Sequence, residues 1–455
     1  MSAEQLTALV NALPEGVVAT APETVEKYRH DWSRDPRAGT PIAVVRAEST
    51  QQVQVALRWA SAHGIPVVPR GAGSGLAGGA SAVDGGLVLS LERMRAIEID
   101  NASRVAVVEP GALNVEVKQA AAEHGLWYPP DPSSFEICSI GGNIATNAGG
   151  LCCVKYGVTA DYVLGLDVVL ANGTLLQLGG RRIKDVAGLS LLKLFVGSEG
   201  TLGIVTRAIL RLVPAQPPRS TLVAVFPTAR AAAEAVVAMG RSVRACLVEL
   251  MDHRAINVVE DFLGMGLDRS AGGLLVVQSD APGTARTAEI EIIETVCRAA
   301  GASECYLTDD PDEGEAFLAA RRAFFPATEH LGSLLIEDVG VPVPLLPDLL
   351  DGVAAIAARH TTDIPVVAHA GDGNTHPNLI FDGSDPAARA RAEAAFEEIM
   401  ALAISLGGTI TGEHGVGRAK RGSLPAQLGP EIMAVTRRIK DALDPAGILN
   451  PGAAI

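Results

Sequence analysis

Two stretches concentrate residues able to do acid–base or metal chemistry. The first runs Val366-Val367-Ala368-His369-Ala370-Gly371-Asp372-Gly373-Asn374-Thr375-His376-Pro377-Asn378, and the second Thr411-Gly412-Glu413-His414-Gly415-Val416-Gly417. On a straight strand His369 and His376 would project from opposite faces, because an odd number of positions separates them. The Gly-Asp-Gly-Asn turn between them breaks that register and lets both imidazoles face one point. Two imidazoles and the Glu413 carboxylate make a three-ligand set with open positions, the arrangement expected of a catalytic divalent metal. On the residues alone, hydrogen-bonded structural histidines are an equal alternative. His414 adjoins Glu413, and an ordinary imidazole pKa of about 6.5 suits proton removal at neutral pH.

A different chemistry is written in glycine. Pro69-Arg70-Gly71-Ala72-Gly73-Ser74-Gly75-Leu76-Ala77-Gly78-Gly79 follows an apolar run, Ile65–Val68, and precedes another, Leu87–Leu91. Such a loop brings backbone N–H groups within reach of a phosphate or pyrophosphate. A literal Gly-x-Gly-x-x-Gly lies at Gly73, Gly75 and Gly78. In the dinucleotide fold its third glycine opens a helix; here the chain goes on with further glycines and no helical period, so the loop links strand to strand. Flexible linkers rarely lie between two apolar strands. A second cluster spans Ile140–Gly150 and a third Gly197–Thr206. Ser74, Ser134, Asn143, Thr146, Asn147 and Thr201 are interleaved among them, which suggests one long ligand lying along backbone.

The elements that must position these groups follow in order. Ile42–Val45 reads as a strand. Ser49 or Thr50 caps a helix bearing Val53, Leu57 and Ala60, Gly64 stops it, and the loop completes a βαβ opening unit. A second unit begins at Val105–Val108 and continues as a helix over about 113–123. Tyr128–Ser134 suits neither helix nor central strand. Asn172-Gly173 signals a two-residue hairpin. Pro214-Ala215-Gln216-Pro217-Pro218 marks a boundary. Strands at 222–226 and 274–278 then alternate with helices at 229–239 and 285–300, as in an α+β domain. A helix over 431–442 precedes a turn-rich tail.

Composition bounds the rest. A chain of 455 residues has length for two or three domains. Its 37 Lys and Arg against 52 Asp and Glu give a net charge of −15, which argues against a nucleic-acid surface. The six cysteines show no C-x-x-C spacing and read as reduced, mostly buried residues. No apolar run approaches membrane-spanning length, and Met1–Gln5 lacks the features of a signal peptide. A cytoplasmic protein, in contact with a membrane only peripherally if at all, is expected.

Four motifs in this order, 69–76, 130–134, 141–150 and 197–204, closely resemble the FAD domain of the vanillyl-alcohol-oxidase-like flavoproteins. The branch they resemble is the FAD-linked D-2-hydroxyacid dehydrogenases, which includes D-lactate and D-2-hydroxyglutarate dehydrogenases and the FAD subunit of glycolate oxidase. The resemblance covers about residues 38–455. It implies an α+β fold: a two-part FAD-binding domain (1–214), an α+β substrate or cap domain with the metal site (215–404), and a C-terminal segment (405–455) returning to the FAD domain. Arg70, Gly71, Ala72, Gly73, Ser74, Gly75 and Leu76 would cradle the pyrophosphate. Pro130, Asp131, Ser134, Gly141, Gly142, Asn143, Thr146, Asn147, Gly149, Glu199, Gly200, Ile204 and Asn450 would line the rest of the cofactor. The FAD is expected to be non-covalent, since no histidine lies in the three clusters. Cys152-Cys153 reads as a packed helix start, with a thioether as its alternative.

The resemblance also implies a divalent ion, zinc first and then manganese, iron or cobalt, on His369, His376 and Glu413, with Asn378 beside it. In Phe317-Leu318-Ala319-Ala320-Arg321-Arg322, Arg321 matches the arginine that clamps the substrate carboxylate, a bidentate task peculiar to guanidinium. Arg322 would point about 100° away on a helix. Leu334–Val339 lacks the lysine found in hydroxyglutarate enzymes, which disfavours that substrate. The implied activity is oxidation of a D-2-hydroxyacid such as D-lactate or glycolate, with His414 as base and hydride passing to flavin N5. A quinone, a cytochrome, an electron-transfer flavoprotein or dioxygen would accept the electrons, and a homodimer is one assembly allowed. Rival readings are an oxidase of another alcohol or lactone and the FAD subunit of a larger electron-transfer complex. A metal hydrolase on 369, 376 and 413 would leave the glycine clusters unexplained.

Overall fold

The computed structural model describes residues 3–455 and divides into two compact units. Unit 1 takes the described residues up to 149 together with 158–215 and 413–455; unit 2 takes 150–157 and 216–412.

In unit 1, β1 (Ala43–Arg46), α1 (Thr50–His63) and β2 (Val67–Arg70) form the strand–helix–strand opening. The Ser49 side chain accepts the Gln52 amide, and Gly64 ends α1 in the left-handed region, as caps of these types do. Val53, Ala56, Leu57 and Ala60 recur at helical spacing and are buried. β3 (Leu87–Ser90) lies parallel to β1 and β2 and between them. The 71–79 loop therefore leaves the carboxyl end of β2.

A second sheet contains β4 (Ile97–Asp100), β5 (Val105–Val108), β6 (Val163–Val169), β7 (Leu175–Gly179) and β8 (Ile204–Arg211), in the order β4-β5-β8-β6-β7. Every neighbouring pair is antiparallel. Two expectations change here. Val105–Val108 does lead to a helix, α2 (Asn114–Ala122), but opens no second βαβ unit, because both strands beside it run against it. The Asn172-Gly173 hairpin has three loop residues, not two: Leu170 donates to the Thr174 carbonyl at 2.9 Å, and Gly173 donates to the Leu170 carbonyl at 2.8 Å. Gly173 takes φ +80°, the left-handed position on which this loop length is usually built. The second glycine cluster opens as a helix, α3 (Ile140–Thr146), with Ser139 capping it.

Unit 2 is built on one antiparallel sheet. Its main strands are β9 (Ser220–Phe226), β10 (Leu247–Asp252), β11 (Gly273–Ser279), β12 (Glu304–Thr308), β13 (Ser333–Ile336), β14 (Val366–His369) and β15 (Asn374–Phe381). They are ordered β12-β9-β11-β10-β14-β15-β13. The helices include α4 (Ala229–Met239), α5 (Thr284–Ala299) and α6 (Pro311–Arg322). Leu318 of α6 packs in a core with Leu247, Met251, Val276 and Val367. Arg321, three positions on, shares that inward side.

In unit 1's last segment, α7 (Leu424–Leu443) is two helices meeting at Gly429, φ +78°, ahead of Pro430, and the second of them contains the helix expected over 431–442. Cys152 is buried at the start of the short helix Cys153–Tyr156, and none of the six cysteines, all among the described residues, is in a disulfide. No described helix is long and apolar enough to cross a membrane.

Candidate active site

The 71–79 loop of unit 1 is held by its carbonyls. Gly73 O accepts from Trp32 N and Gly75 O from Ser33 N, both at 3.2 Å. Ala77 O accepts from the amides of Arg418 and Ala419 at 2.8 and 3.1 Å, and Gly79 O accepts from Asn450 Nδ2 at 2.8 Å. The amides of residues 73–79 donate to no group among the described residues. A turn whose carbonyls are engaged and whose N–H groups are left over is an anion cradle, so this loop fits a pyrophosphate. Asp31, absent from the sequence-based site, fixes its far end: its carboxylate accepts from Ser33 Oγ at 2.6 Å, Ser81 Oγ at 3.0 Å and Ala80 N at 3.1 Å.

Several expected cofactor side chains are committed to the chain itself. Arg70 Nη1 donates to His30 O at 2.9 Å, and a side chain at Gly73, φ +76°, would strike Arg70 Nη2. Arg70 thus braces the loop. Ser139 Oγ accepts from Ala72 N at 3.2 Å and Gly142 N at 3.3 Å, joining the first cluster to α3. Asn143 Oδ1 takes a hydrogen bond from Asn114 Nδ2, and Thr146 donates to Gly142 O. Asn147 Oδ1 accepts from Ala160 N, and Thr201 donates to Ser198 O. These bonds hold the side chains in place, and backbone groups lie beside them for a ligand. Gly71, Gly141, Gly149 and Gly200 have only backbone to offer. Pro130 O accepts from Asn114, and Ile204 is buried at the head of β8.

Glu199 is buried, with Oε1 accepting from Val416 N and Oε2 from Gly417 N, both at 2.8 Å. Burial pushes its carboxyl up to about 7, against the downward pull of those two amides. Asn450 donates from Nδ2 to the carbonyls of both Gly79 and Glu199, tying the first cluster to the third, and its buried Oδ1 has no hydrogen-bond partner among the described residues. Glu413 and His414 precede this anchored turn, with His414 Nε2 3.9 Å from Glu413 Oε1.

Unit 2 holds the other expected residues. β14 and β15 form an antiparallel hairpin in which His369 pairs with Asn374 and Val367 with His376. Val367 and His369 share a face, so His376, opposite Val367, shares it too. The two rings meet edge to face, with centroids 5.0 Å apart. His369 Nδ1 lies 2.7 Å from Glu249 Oε1 of β10. With the carboxylate accepting, Nδ1 carries the proton, and in the neutral ring Nε2 is the nitrogen able to ligate, so the donor set fits a metal ion. Asn378, on β15 two positions beyond His376, donates to Thr328 Oγ1 at 3.0 Å.

Arg321 is buried, with Nε 2.9 Å from Glu249 Oε2 in an approach that makes an ion pair without a well-directed hydrogen bond; its Nη2 is buried with no partner among the described residues. Asp338, also buried, accepts from Asn374 Nδ2 at 2.8 Å, from Thr411 Oγ1 at 2.7 Å and from Gly412 N at 2.9 Å. It thereby fixes the last residue of unit 2, directly before Glu413 in sequence. Glu249 and Asp338 were missed by sequence reasoning. A signal existed for each: a lone carboxylate in the apolar run Leu247–Met251, and an acidic pair, Glu337-Asp338, where only a lysine was sought.

The chain matches the family model for the C-terminal domain of FAD linked oxidases over residues 215–454 and an FAD binding domain over 41–179. It is 42% identical over 416 residues to the glycolate oxidase subunit GlcD of Bacillus subtilis, covering 90% of this chain and 88% of that protein. It is 35% identical over 442 residues to a D-lactate dehydrogenase of Archaeoglobus fulgidus, covering 94% and 96%. Its fold matches p-cresol methylhydroxylase with a TM-score of 0.84 at 18% identity, covering 100% and 97%. At that identity the likeness is one of fold.

Proposed function

The chain belongs to the FAD-linked oxidases, and from that premise we propose that it oxidises a small D-2-hydroxyacid, D-lactate or a glycolate-like acid, to the 2-oxoacid. It is an FAD-dependent oxidoreductase acting on the CH–OH group of hydroxyacids. FAD, held without a covalent bond, would supply the two-electron acceptor for the Cα hydride, at N5. The amides of residues 73–79, which have no acceptor among the described residues, would bind its pyrophosphate.

One observation supports the hydroxyacid site most directly: Arg321 is buried beside Glu249, and its Nη2 has no partner among the described residues. Buried donors require acceptors, and a substrate carboxylate is the acceptor of matching charge. Arg321 therefore orients the acid. His414 takes the hydroxyl proton as the C–H bond breaks. His369 and His376 would hold a divalent ion, zinc first, with Glu413 as third donor, and the ion would polarise the substrate hydroxyl. Anaerobic addition of D- and L-hydroxyacids to the purified protein tests this reading. D-lactate should bleach the flavin absorbance and L-lactate should not; equal rates would put the pose and the His414 assignment in doubt.

A second reading, the FAD subunit of a larger electron-transfer complex, is favoured by the name of the Bacillus relative. It predicts flavin reduction by substrate but no sustained turnover of the isolated protein with dioxygen or a soluble quinone.

A further inference from the structure

We infer that Glu249 is a positioning residue that sets both the metal-facing imidazole and the substrate-facing guanidinium of the hydroxyacid site. The inference rests on the function proposed above and adds to it a residue outside the expected ligand and clamp set. Glu249 is 1% exposed, in the middle of β10, with Val248 and Leu250 buried on either side. A carboxylate there is costly unless partners compensate it. Both of its oxygens have such partners. The antiparallel register sets Glu249 directly opposite His369, and Oε1 reaches Nδ1 at 2.7 Å. Oε2 reaches Arg321 Nε at 2.9 Å from α6.

Each contact has a separate chemical effect. The first favours the His369 tautomer with the proton on Nδ1, in which Nε2 is the nitrogen able to ligate a metal, and holds the ring at a set rotation. The second neutralises Arg321 on its Nε side and leaves Nη2 to another acid. One side chain thus couples the two groups that would bind opposite ends of a hydroxyacid headgroup. The competing explanation is a core ion pair that only stabilises unit 2, and the two make different predictions.

The test compares holoenzyme carrying Glu249→Gln or Glu249→Ala with the parent. Four quantities are read: zinc affinity of the chelated protein by competition with a chromophoric chelator, KM for D-lactate, FAD content and melting temperature. Gln retains an acceptor for Nδ1–H but no charge for Arg321. Its zinc affinity should stay within a few-fold of the parent, while KM rises about ten- to a hundredfold, the size of one charge-assisted hydrogen bond. Ala removes both partners and should also weaken zinc binding about 10- to 100-fold. FAD content should match the parent in both. Parent-like zinc affinity and KM in the Ala variant would overturn the inference. So would loss of FAD and fold in the isosteric Gln variant, which would make the pair structural. If the parent itself takes up no zinc, the metal reading fails and the His369 half of this inference fails with it; an unchanged KM in Glu249→Gln would separately end the Arg321 half.

Discussion

Arg321 and Arg322 are neighbours in sequence and opposites in environment. The Arg321 side chain is 6% exposed and meets Glu249, whereas that of Arg322 is 30% exposed and pairs with Glu315. Removing one member of a desolvated charge pair costs about 2–5 kcal/mol, so Arg321→Ala should lower kcat/KM roughly 30-fold to several-thousandfold. An exposed pair contributes about 0–1 kcal/mol, and Arg322→Ala should change kcat/KM little. Steady-state kinetics with D-lactate distinguishes them; the reverse ranking would place the clamp at Arg322.

The purified protein should be yellow and release free flavin on acid or heat denaturation, because the cradle at 73–79 offers backbone N–H groups and no tether. A colourless preparation that takes up no added FAD would end this reading. Flavin remaining on the denatured chain would point to Cys152 or Cys153.

His369→Ala and His376→Ala should purify with near-stoichiometric FAD, since the free amides of the cradle belong to unit 1 and both histidines to unit 2. Elemental analysis should find little divalent metal in either, and D-lactate should reduce their flavin at a small fraction of the parent rate. Chelation of the parent should do the same, with recovery on adding zinc. Full turnover by metal-free protein would show that the two histidines only stabilise their hairpin.

Stability should carry a signature of Glu199. Its folded-state carboxyl is raised from 4.5 to about 7 by burial. The native chain then holds a proton that the unfolded chain releases. The associated stabilisation is complete below about 4.5 and is lost as pH rises through about 7. Over that interval the parent's melting temperature should decline relative to that of Glu199→Gln, which keeps an acceptor and carries no charge. Parallel pH profiles would remove Glu199 as the cause.

A substrate with a second carboxylate should fare worse. The Leu334–Val339 segment has no lysine and buries Glu337 and Asp338 instead. D-2-hydroxyglutarate is expected to show kcat/KM at least tenfold below D-lactate, about the value of one missing charge-assisted contact. Equal efficiencies would mean that another cation serves the distal carboxylate.

Local signals made the opening of unit 1 legible. Ser49 and Gly64 bound α1 by cap chemistry that depends on a few adjacent residues, and the glycine run between two apolar strands announced the cradle. The pairing of His369 with His376 was legible for a similar reason, since one hairpin turn resets their register. Strand direction was not: whether Val105–Val108 pairs parallel or antiparallel depends on Ala208–Arg211, a hundred residues away. Glu249 was hidden by the same distance, because its partners His369 and Arg321 lie far along the chain. The side chains of Asn143 and Asn147 were of the right types for a ligand, but their partners Asn114 and Ala160 lie 29 and 13 residues away, so local sequence did not reveal these bonds.

The cradle's carbonyls are claimed by Trp32 and Ser33 from one end of the chain and by Arg418, Ala419 and Asn450 from the other. During synthesis the first of these partners is present long before the last leaves the ribosome. Flavin loading is therefore expected only once Arg418, Ala419 and Asn450 have emerged, well after the N-terminal half. A ribosome-arrested chain stopping short of Arg418 should stay flavin-free in a solution of FAD, whereas the same chain extended through Ile455 should acquire it.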